Sequence, residues 1–259
     1  MKRETVIAEP SPQRVGLIVP SSNVTMEIEI PALLRKSNGE FSFHASRMAM
    51  RQVSAAELKD MDAQAERCAH ELAHARIDAL AYACLVAVMV QGPGAHRRVQ
   101  ARLRAALEVE GLAAPVTSSA GALVETLRRL RAGRIAIVAP YMPALTRCVI
   151  DYLAAEGVTT IASRSLQVSD NFEVGRIRGD RIEAAVAELE SASADVLVLS
   201  ACVQMPSLGI LQKVQANARI PVITAASSTA AALLHSLGRD ASVVPGGAGL
   251  AWSAALEPA

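Results

Sequence analysis

Short apolar, β-branched runs alternate along the chain with longer stretches of helical periodicity. The runs Arg14–Pro20, Phe41–Met48, Ile77–Cys84, Ala114–Ser118, Arg134–Ala139, Val158–Leu166, Asp195–Cys202 and Ile220–Thr224 read as strands. Helices are predicted near 24–36, 54–75, 93–110, 119–131, 143–155, 177–191, 207–217 and 227–237. Such alternation predicts βαβ units and parallel sheets, because parallel strands need a crossover long enough to hold a helix.

The pattern also occurs twice. Arg14–Pro20 resembles Arg134–Pro140, and the run ending at Cys84 resembles the run ending at Cys202. Ala114-Pro115-Val116-Thr117 resembles Ile220-Pro221-Val222-Ile223. Three echoes in the same order, two at nearly equal offsets, point to internal duplication. The fold class expected is α/β, with two pseudo-symmetric lobes, each a parallel sheet flanked by helices. Residues 1–117 with 226–259 are assigned to a lobe carrying Cys84, and residues 118–225 to a lobe carrying Cys202. In open α/β sheets ligands bind at the carboxyl ends of strands. Both thiols fall at such ends, so they are expected to face one interlobe cleft from opposite sides.

Composition narrows the function classes. The chain has 259 residues, 51% hydrophobic and 20% charged, with only 3% aromatic, so aliphatic side chains must supply the packing. A net charge of +1 gives no global case for binding nucleic acid or an anionic membrane. The Arg-rich stretch His96-Arg97-Arg98 to Arg102-Leu103-Arg104 reads as a solvated helix face. No apolar run reaches the ~20 residues that span a bilayer. The opening Met1–Ala8 lacks the apolar core of a secretory signal. The four cysteines (68, 84, 148 and 202) show no C-x-x-C spacing, so a cytoplasmic chain with reduced thiols is the default.

One motif is a decoy. His70-Glu71-Leu72-Ala73-His74 matches H-E-x-x-H, a zinc-binding pattern. At ~100° per residue, Leu58, Met61, Ala65, Cys68 and Leu72 share one arc, and both histidines point away from it. No metal site is expected there. The same phase places Cys68 in the core, and Cys148 lies in an apolar stripe with Leu145, Val149 and Tyr152. Cys84 and Cys202 differ, since each ends a strand and precedes a loop.

Other residues gather on the same rim. Ser21-Ser22-Asn23 form the first strand-to-helix turn, without the glycines of a dinucleotide loop. They can cap the helix or offer donors to an anion. Tyr141 is the second-lobe counterpart of Ser21, and Asn171 follows the strand ending near Leu166. Gln91-Gly92-Pro93-Gly94 is a candidate for restricted closing motion or, equally, for a static turn, and Gly246-Gly247-Ala248-Gly249 reads as a flexible turn.

Gly16-Leu-Ile-Val-Pro-Ser-Ser-Asn23, Tyr82-Ala-Cys-Leu-Val86 and Ser200-Ala-Cys-Val-Gln-Met-Pro-Ser207 together resemble the maleate cis–trans isomerases of the aspartate/glutamate racemase superfamily. The likeness runs from Arg14 to about Trp252. It implies conversion of maleate to fumarate with no cofactor and no metal, on a small dicarboxylate substrate, commonly by a homodimer. It also implies Cys84 as nucleophile and Cys202 as proton donor. Asn23, Leu85, Val86, Tyr141, Asn171, Val203 and Gln204 match substrate-holding positions, together with Cys84 itself. Val24 departs from the threonine expected after that asparagine. Racemases carry Cys-Asn-Thr after each cysteine, whereas here Leu-Val and Val-Gln follow.

Three alternatives stay open on sequence: an amino-acid racemase or arylmalonate-type decarboxylase, a two-lobed binding protein, and a Cys84–Cys202 redox switch. The isomerase chemistry needs one thiol charged and one neutral. Helix N-termini and loop N–H groups near Cys84 are expected to favour its thiolate. With no arginine at the strand ends, recognition of a dianion is expected to fall to backbone N–H groups and to neutral Asn23, Tyr141 and Asn171.

Overall fold

A computed structural model describes residues 11–253. Met1–Ala8, read above as no secretory signal, lies outside the described residues. Among the described residues eight strands form two parallel four-stranded sheets. The first contains β1 (Gln13–Pro20), β2 (Phe41–Met48), β3 (Ala79–Tyr82) and β4 (Val116–Ser118), in the order β2-β1-β3-β4. The second contains β5 (Arg134–Ala139), β6 (Thr159–Ser165), β7 (Val196–Ser200) and β8 (Val222–Thr224), in the order β6-β5-β7-β8. The two orders are the same pattern repeated.

Side-chain details repeat as well. Asp78 Oδ2 accepts the Arg14 N–H at 2.7 Å, and Asp195 Oδ2 accepts the Arg134 N–H at 2.7 Å. Each aspartate thereby starts its central strand beside the strand it pairs with. Every residue of β3 and β7 is buried, as expected for parallel strands covered on both faces. The edge strands β2 and β6 are half-buried or exposed over most of their length.

The helices α1 (Met26–Leu34), α2 (Ala55–Asp62), α3 (Ala65–His74), α4 (Leu85–Met89), α5 (Ala95–Val109) and α6 (Ser119–Arg129) accompany the first four strands. The others are α7 (Pro143–Ala155), α8 (Asn171–Val174), α9 (Gly179–Ala187), α10 (Leu208–Asn217), α11 (Ala225–Ser236) and α12 (Gly247–Ala251). Helix α11 packs against α1, α6 and β3. Its N-cap, Thr224, forms a reciprocal capping box with Ser227. Among the described residues no helix is long and apolar enough to cross a membrane.

Several local expectations change. The helix predicted over 54–75 is two helices. Gln64, at the break, turns its side chain back to bond both the N–H and the C=O of Ala49. Cys68 lies on the buried face of α3, as its phase required, and Cys148 is half-buried. The Arg-rich face is not simply solvated. His96 is buried against Tyr152, Arg97 pairs with Glu156, Arg98 bonds the carbonyls of Gln91 and Pro93, and Arg102 pairs with Asp62.

The glycine-rich segment near the C-terminus is not a flexible turn. It forms α12, whose residues Gly247, Ala248, Gly249 and Ala251 are buried. A Cβ on Gly249 would sit 2.0 Å from the Val244 carbonyl oxygen and 2.7 Å from that of Ser242. Glycine is required there by close backbone approach. Gly249→Ala should therefore lower stability by about 1–3 kcal/mol, read as a fall in the urea midpoint at constant m. An unchanged midpoint would return the segment to a loose turn.

Candidate active site

The two thiols sit just beyond the central strands of their sheets. Cys84 follows β3 by two residues, and its extended backbone N-caps α4. The expected loop after Cys84 is absent, because the apolar residues Leu85–Met89 turn directly into a buried helix. Cys202 follows β7 by two residues but enters irregular chain. Both cysteines are free and each is only 6% exposed.

The nine residues singled out from the sequence lie together. Asn23, Cys84, Leu85, Val86, Tyr141, Asn171, Cys202, Val203 and Gln204 all line one small cavity between the lobes. Pro20, Met50, Val53, Ala83 and Val174 complete the lining and were not foreseen. Met50 and Val53 follow β2, so the strand-end rule that located Cys84 also points to them. Val24, beside Asn23, is 52% exposed and turns away from the cavity. A larger cavity of about 640 Å³ lies along α9 and α10. It holds no thiol, so the chemistry is placed at the smaller one.

The Gln91–Gly94 loop does not line the cavity. Its carbonyls are held by the Arg98 guanidinium. The roof comes instead from the segment around Met50 and Val53. That segment crosses to the other lobe, where Gln52 bridges Asp170 and the Val53 N–H donates to the Ser169 carbonyl at 3.3 Å. The cavity encloses about 20 Å³, the space of about one water molecule.

Its polar groups divide into committed and free. Asn23 Oδ1 accepts the Met26 N–H at 3.1 Å, which leaves Nδ2 as a buried donor with no partner. Asn171 Nδ2 is likewise buried and unpartnered. Gln204 Nε2 is occupied, donating to Ser22 Oγ at 2.9 Å and to the Asn171 carbonyl. The Tyr141 hydroxyl donates to the Ala201 carbonyl at 3.2 Å. Among the described residues no lysine or arginine lines the cavity.

Burial dominates the titration of both thiols. It pushes Cys84 up to about 12, opposed by the Ala87 N–H and reinforced by Cys202 and by the negative charge of Asp62. Asp62 is itself buried, bonded to the Tyr82 hydroxyl at 2.6 Å and paired with Arg102 at 2.8 Å. Burial also raises Cys202, opposed by the N–H groups of Gln204 and Met205 and by the Tyr141 hydroxyl, whose single proton turns from the Ala201 carbonyl to the sulfur when the thiolate forms. Glu29 adds to the rise. The expected stabilisation of a Cys84 thiolate by nearby N–H groups is therefore outweighed by desolvation in the closed cleft.

The H-E-x-x-H pattern has other work. His70 Nδ1 and His74 Nε2 both face Glu110, at 2.9 and 3.4 Å, and Glu71 bonds Ser46 and Arg67. Among the described residues no group of three metal-ligating side chains is assembled.

Comparison with known proteins places this architecture. A family profile described as arylmalonate decarboxylase matches residues 15–249. The chain is 52% identical over 229 residues to a maleate isomerase of Geobacillus stearothermophilus, covering 86% of this chain and 91% of that one. A mutant of the Nocardia farcinica maleate cis–trans isomerase, cysteine changed to serine, has been solved with a covalently bound succinylcysteine intermediate. It superposes with a TM-score of 0.89 at 48% identity, covering 93% of this chain and 98% of that chain. A cysteine-to-alanine mutant of a Pseudomonas putida maleate isomerase, solved with maleate, gives a TM-score of 0.89 at 43% identity, covering 94% and 99%. The chain belongs to the arylmalonate decarboxylase family and, within it, to the maleate isomerases.

Proposed function

We propose that the cleft isomerises maleate to fumarate without a cofactor, Cys84 adding to the alkene as a thiolate and Cys202 supplying the proton. The observation that carries this reading is the lining of one cavity: two free buried thiols and two unpartnered amide donors. Relatives lend support, since one holds maleate and another a succinyl group on a cysteine after a different cysteine was replaced.

The Cys84 proton first leaves to solvent in the open cleft, and the steps that follow balance on these residues. The Cys84 sulfur bonds one alkene carbon, and the π pair moves onto the other. Cys202 gives its proton to that carbon, leaving a succinyl thioether. The former double bond is now single and turns. The Cys202 thiolate then takes a proton back from the same carbon, the carbon–sulfur bond breaks, and fumarate leaves. Nothing is oxidised or reduced.

The surroundings favour the opposite charge distribution at rest, so the reaction proceeds from a minority form with Cys84 ionised and Cys202 protonated. Three donors around Cys202 favour its thiolate, which makes it the better acid of the pair. Cys84 faces one donor and a buried carboxylate, so its thiolate is scarce but strongly nucleophilic. Forming it at neutral pH in the closed cleft costs about 7 kcal/mol, from a thiol raised to about 12. Burial is the largest cause, so hydration of an open cleft reduces that cost. Opening is needed in any case, because a C4 dicarboxylate is several times larger than the space present. Asn23 Nδ2 and Asn171 Nδ2 serve as neutral carboxylate donors. Leu85, Val86 and Val203 bound the substrate's apolar carbons, and the Gln204 and Tyr141 side chains hold the Cys202 loop beside it.

The reading extends to assembly and location. Val24, just before α1, and Ile28, within it, are 52% and 66% exposed and form an apolar patch suited to a second copy in a homodimer. Free thiols suit a reducing cytoplasm.

Three outcomes check the mechanism. Purified protein should convert maleate to fumarate by NMR, and Cys84→Ser and Cys202→Ser should each lose at least about a hundredfold in kcat. Full activity in either variant removes that residue from its role. Asn171→Leu should raise KM about tenfold or more, the loss of one hydrogen bond to a charged group; an unchanged KM would remove Asn171 from the binding site. Carbamidomethylation of Cys84, followed by peptide mass mapping, should be slow at neutral pH. Its rate should climb with pH as thiolate accumulates, with no plateau below pH 10. A plateau near pH 7 would contradict the raised thiol.

A further inference from the structure

The loop that carries Cys202, residues 201–207, has no regular secondary structure, yet it must hold a thiol in place across the cleft. Its own lobe supplies four ties. Ser200 Oγ donates to the Cys202 carbonyl at 2.7 Å, Tyr141 to that of Ala201, the Ala201 N–H to the Val138 carbonyl at 2.9 Å, and Gln204 Nε2 to the Asn171 carbonyl. Further ties come from the opposite lobe, and two of them from one face of the first helix region. Thr25 Oγ1 donates to the Gln204 carbonyl at 2.8 Å. Four residues later, Glu29 Oε1 accepts the N–H groups of Ser207 at 2.7 Å and Leu208 at 2.8 Å.

Glu29 is the unusual member. It is a carboxylate only 5% exposed, with no cation among its partners. Burial alone raises its carboxyl, and the two N–H bonds pull against that rise. The bonds it accepts lie at the start of the ten-residue α10, where a helix leaves its first N–H groups unsatisfied and favours negative charge. Ser207, the N-cap residue itself, makes no side-chain cap bond, and its Oγ is buried without a partner. A first-lobe acid therefore performs the capping that the second-lobe sequence omits.

We infer that Glu29 is a positioning residue: by capping α10 from across the cleft it fixes the Cys202 loop relative to the lobe that carries Cys84. The inference rests on the proposed two-thiol reaction. Addition and proton transfer need the two sulfurs on adjoining carbons, and Glu29 ties the lobe of one to the loop of the other. Its charge also acts on Cys202 through space. The ionisable groups that face Cys202 are Glu29 from α1, Tyr141 from the second lobe and Cys84 across the cleft. Removing the Glu29 charge leaves fewer groups opposing a Cys202 thiolate, so that thiol should titrate lower. Cys84 is not under the same influence.

The test compares wild type with Glu29→Gln, which keeps an acceptor and removes the charge, and with Glu29→Ala, which removes both. Steady-state maleate kinetics are measured alongside alkylation of each cysteine as a function of pH, resolved by peptide mass. Glu29→Gln should lower kcat about tenfold, the weight of one charge-assisted bond, with KM changed less than about twofold. The alkylation profile of Cys202 should move to lower pH while that of Cys84 stays in place. Glu29→Ala should lose more kcat than Glu29→Gln. Unchanged kcat and unchanged Cys202 reactivity in Glu29→Gln would overturn the inference. So would equal changes at both thiols, or loss of the fold in Glu29→Gln, since each marks a purely structural role. Wild-type protein that leaves maleate unconverted while Cys202 still shifts in Glu29→Gln would refute the proposed reaction rather than the positioning.

Discussion

Desolvation of two thiols in a nearly closed interlobe cleft is the constraint on which the rest depends. Each cysteine is 6% exposed, and the space between them holds about one water. A thiolate in such a place is expensive, so both sulfurs rest protonated. Closure over bound substrate strips the water that lets the thiolate form in the open cleft, so desolvation acts on the anion just before it attacks. The same dryness leaves Asn23 Nδ2 and Asn171 Nδ2 without partners, a cost of about 1–3 kcal/mol each that a bound carboxylate would relieve. The cleft is thus prepared to take up negative charge through neutral donors.

Duplication places the thiols symmetrically, and local structure breaks the symmetry. Both follow the third strand of a four-stranded sheet by two residues. At Cys84 the chain turns at once into a buried apolar helix, with Asp62 and Tyr82 paired nearby. At Cys202 it runs on as loop, with donors from Tyr141, Gln204 and Met205 around the sulfur. Equivalent positions thus acquire different acidities without any difference in residue type. The Cys202 loop in turn depends on the opposite lobe, through Thr25 and Glu29, so the two halves of the duplicate are complete only together.

Much of this was legible in the sequence. β2, β5 and α7 follow the predicted limits: an apolar run marks β5, a proline at the first helical position marks α7, and alternation of apolar and polar residues marks the edge strand β2. The cavity residues from Asn23 to Gln204 were legible from strand ends and the likeness of three motifs. What stayed hidden came from packing contacts that periodicity does not report, some between the lobes and some within a few residues. Met50 and Val53 reach the cavity because Gln52 pairs with Asp170 in the other lobe. Gly249 reads as a turn until Val244 and Ser242 are seen packed against it. Asp62 looks like an ordinary surface acid until Tyr82 and Arg102 close on it. Periodicity carries no information about partners from another lobe.

The central claim is directional: Cys84 carries the covalent intermediate and Cys202 moves the proton. Its most direct measurement is mass mapping of the Cys202→Ser variant after incubation with maleate and rapid quench. The account predicts a succinyl adduct confined to the peptide containing Cys84, and none in the Cys84→Ser variant. An adduct on Cys202 in the Cys84→Ser variant, with none on Cys84 in the reciprocal one, would contradict it.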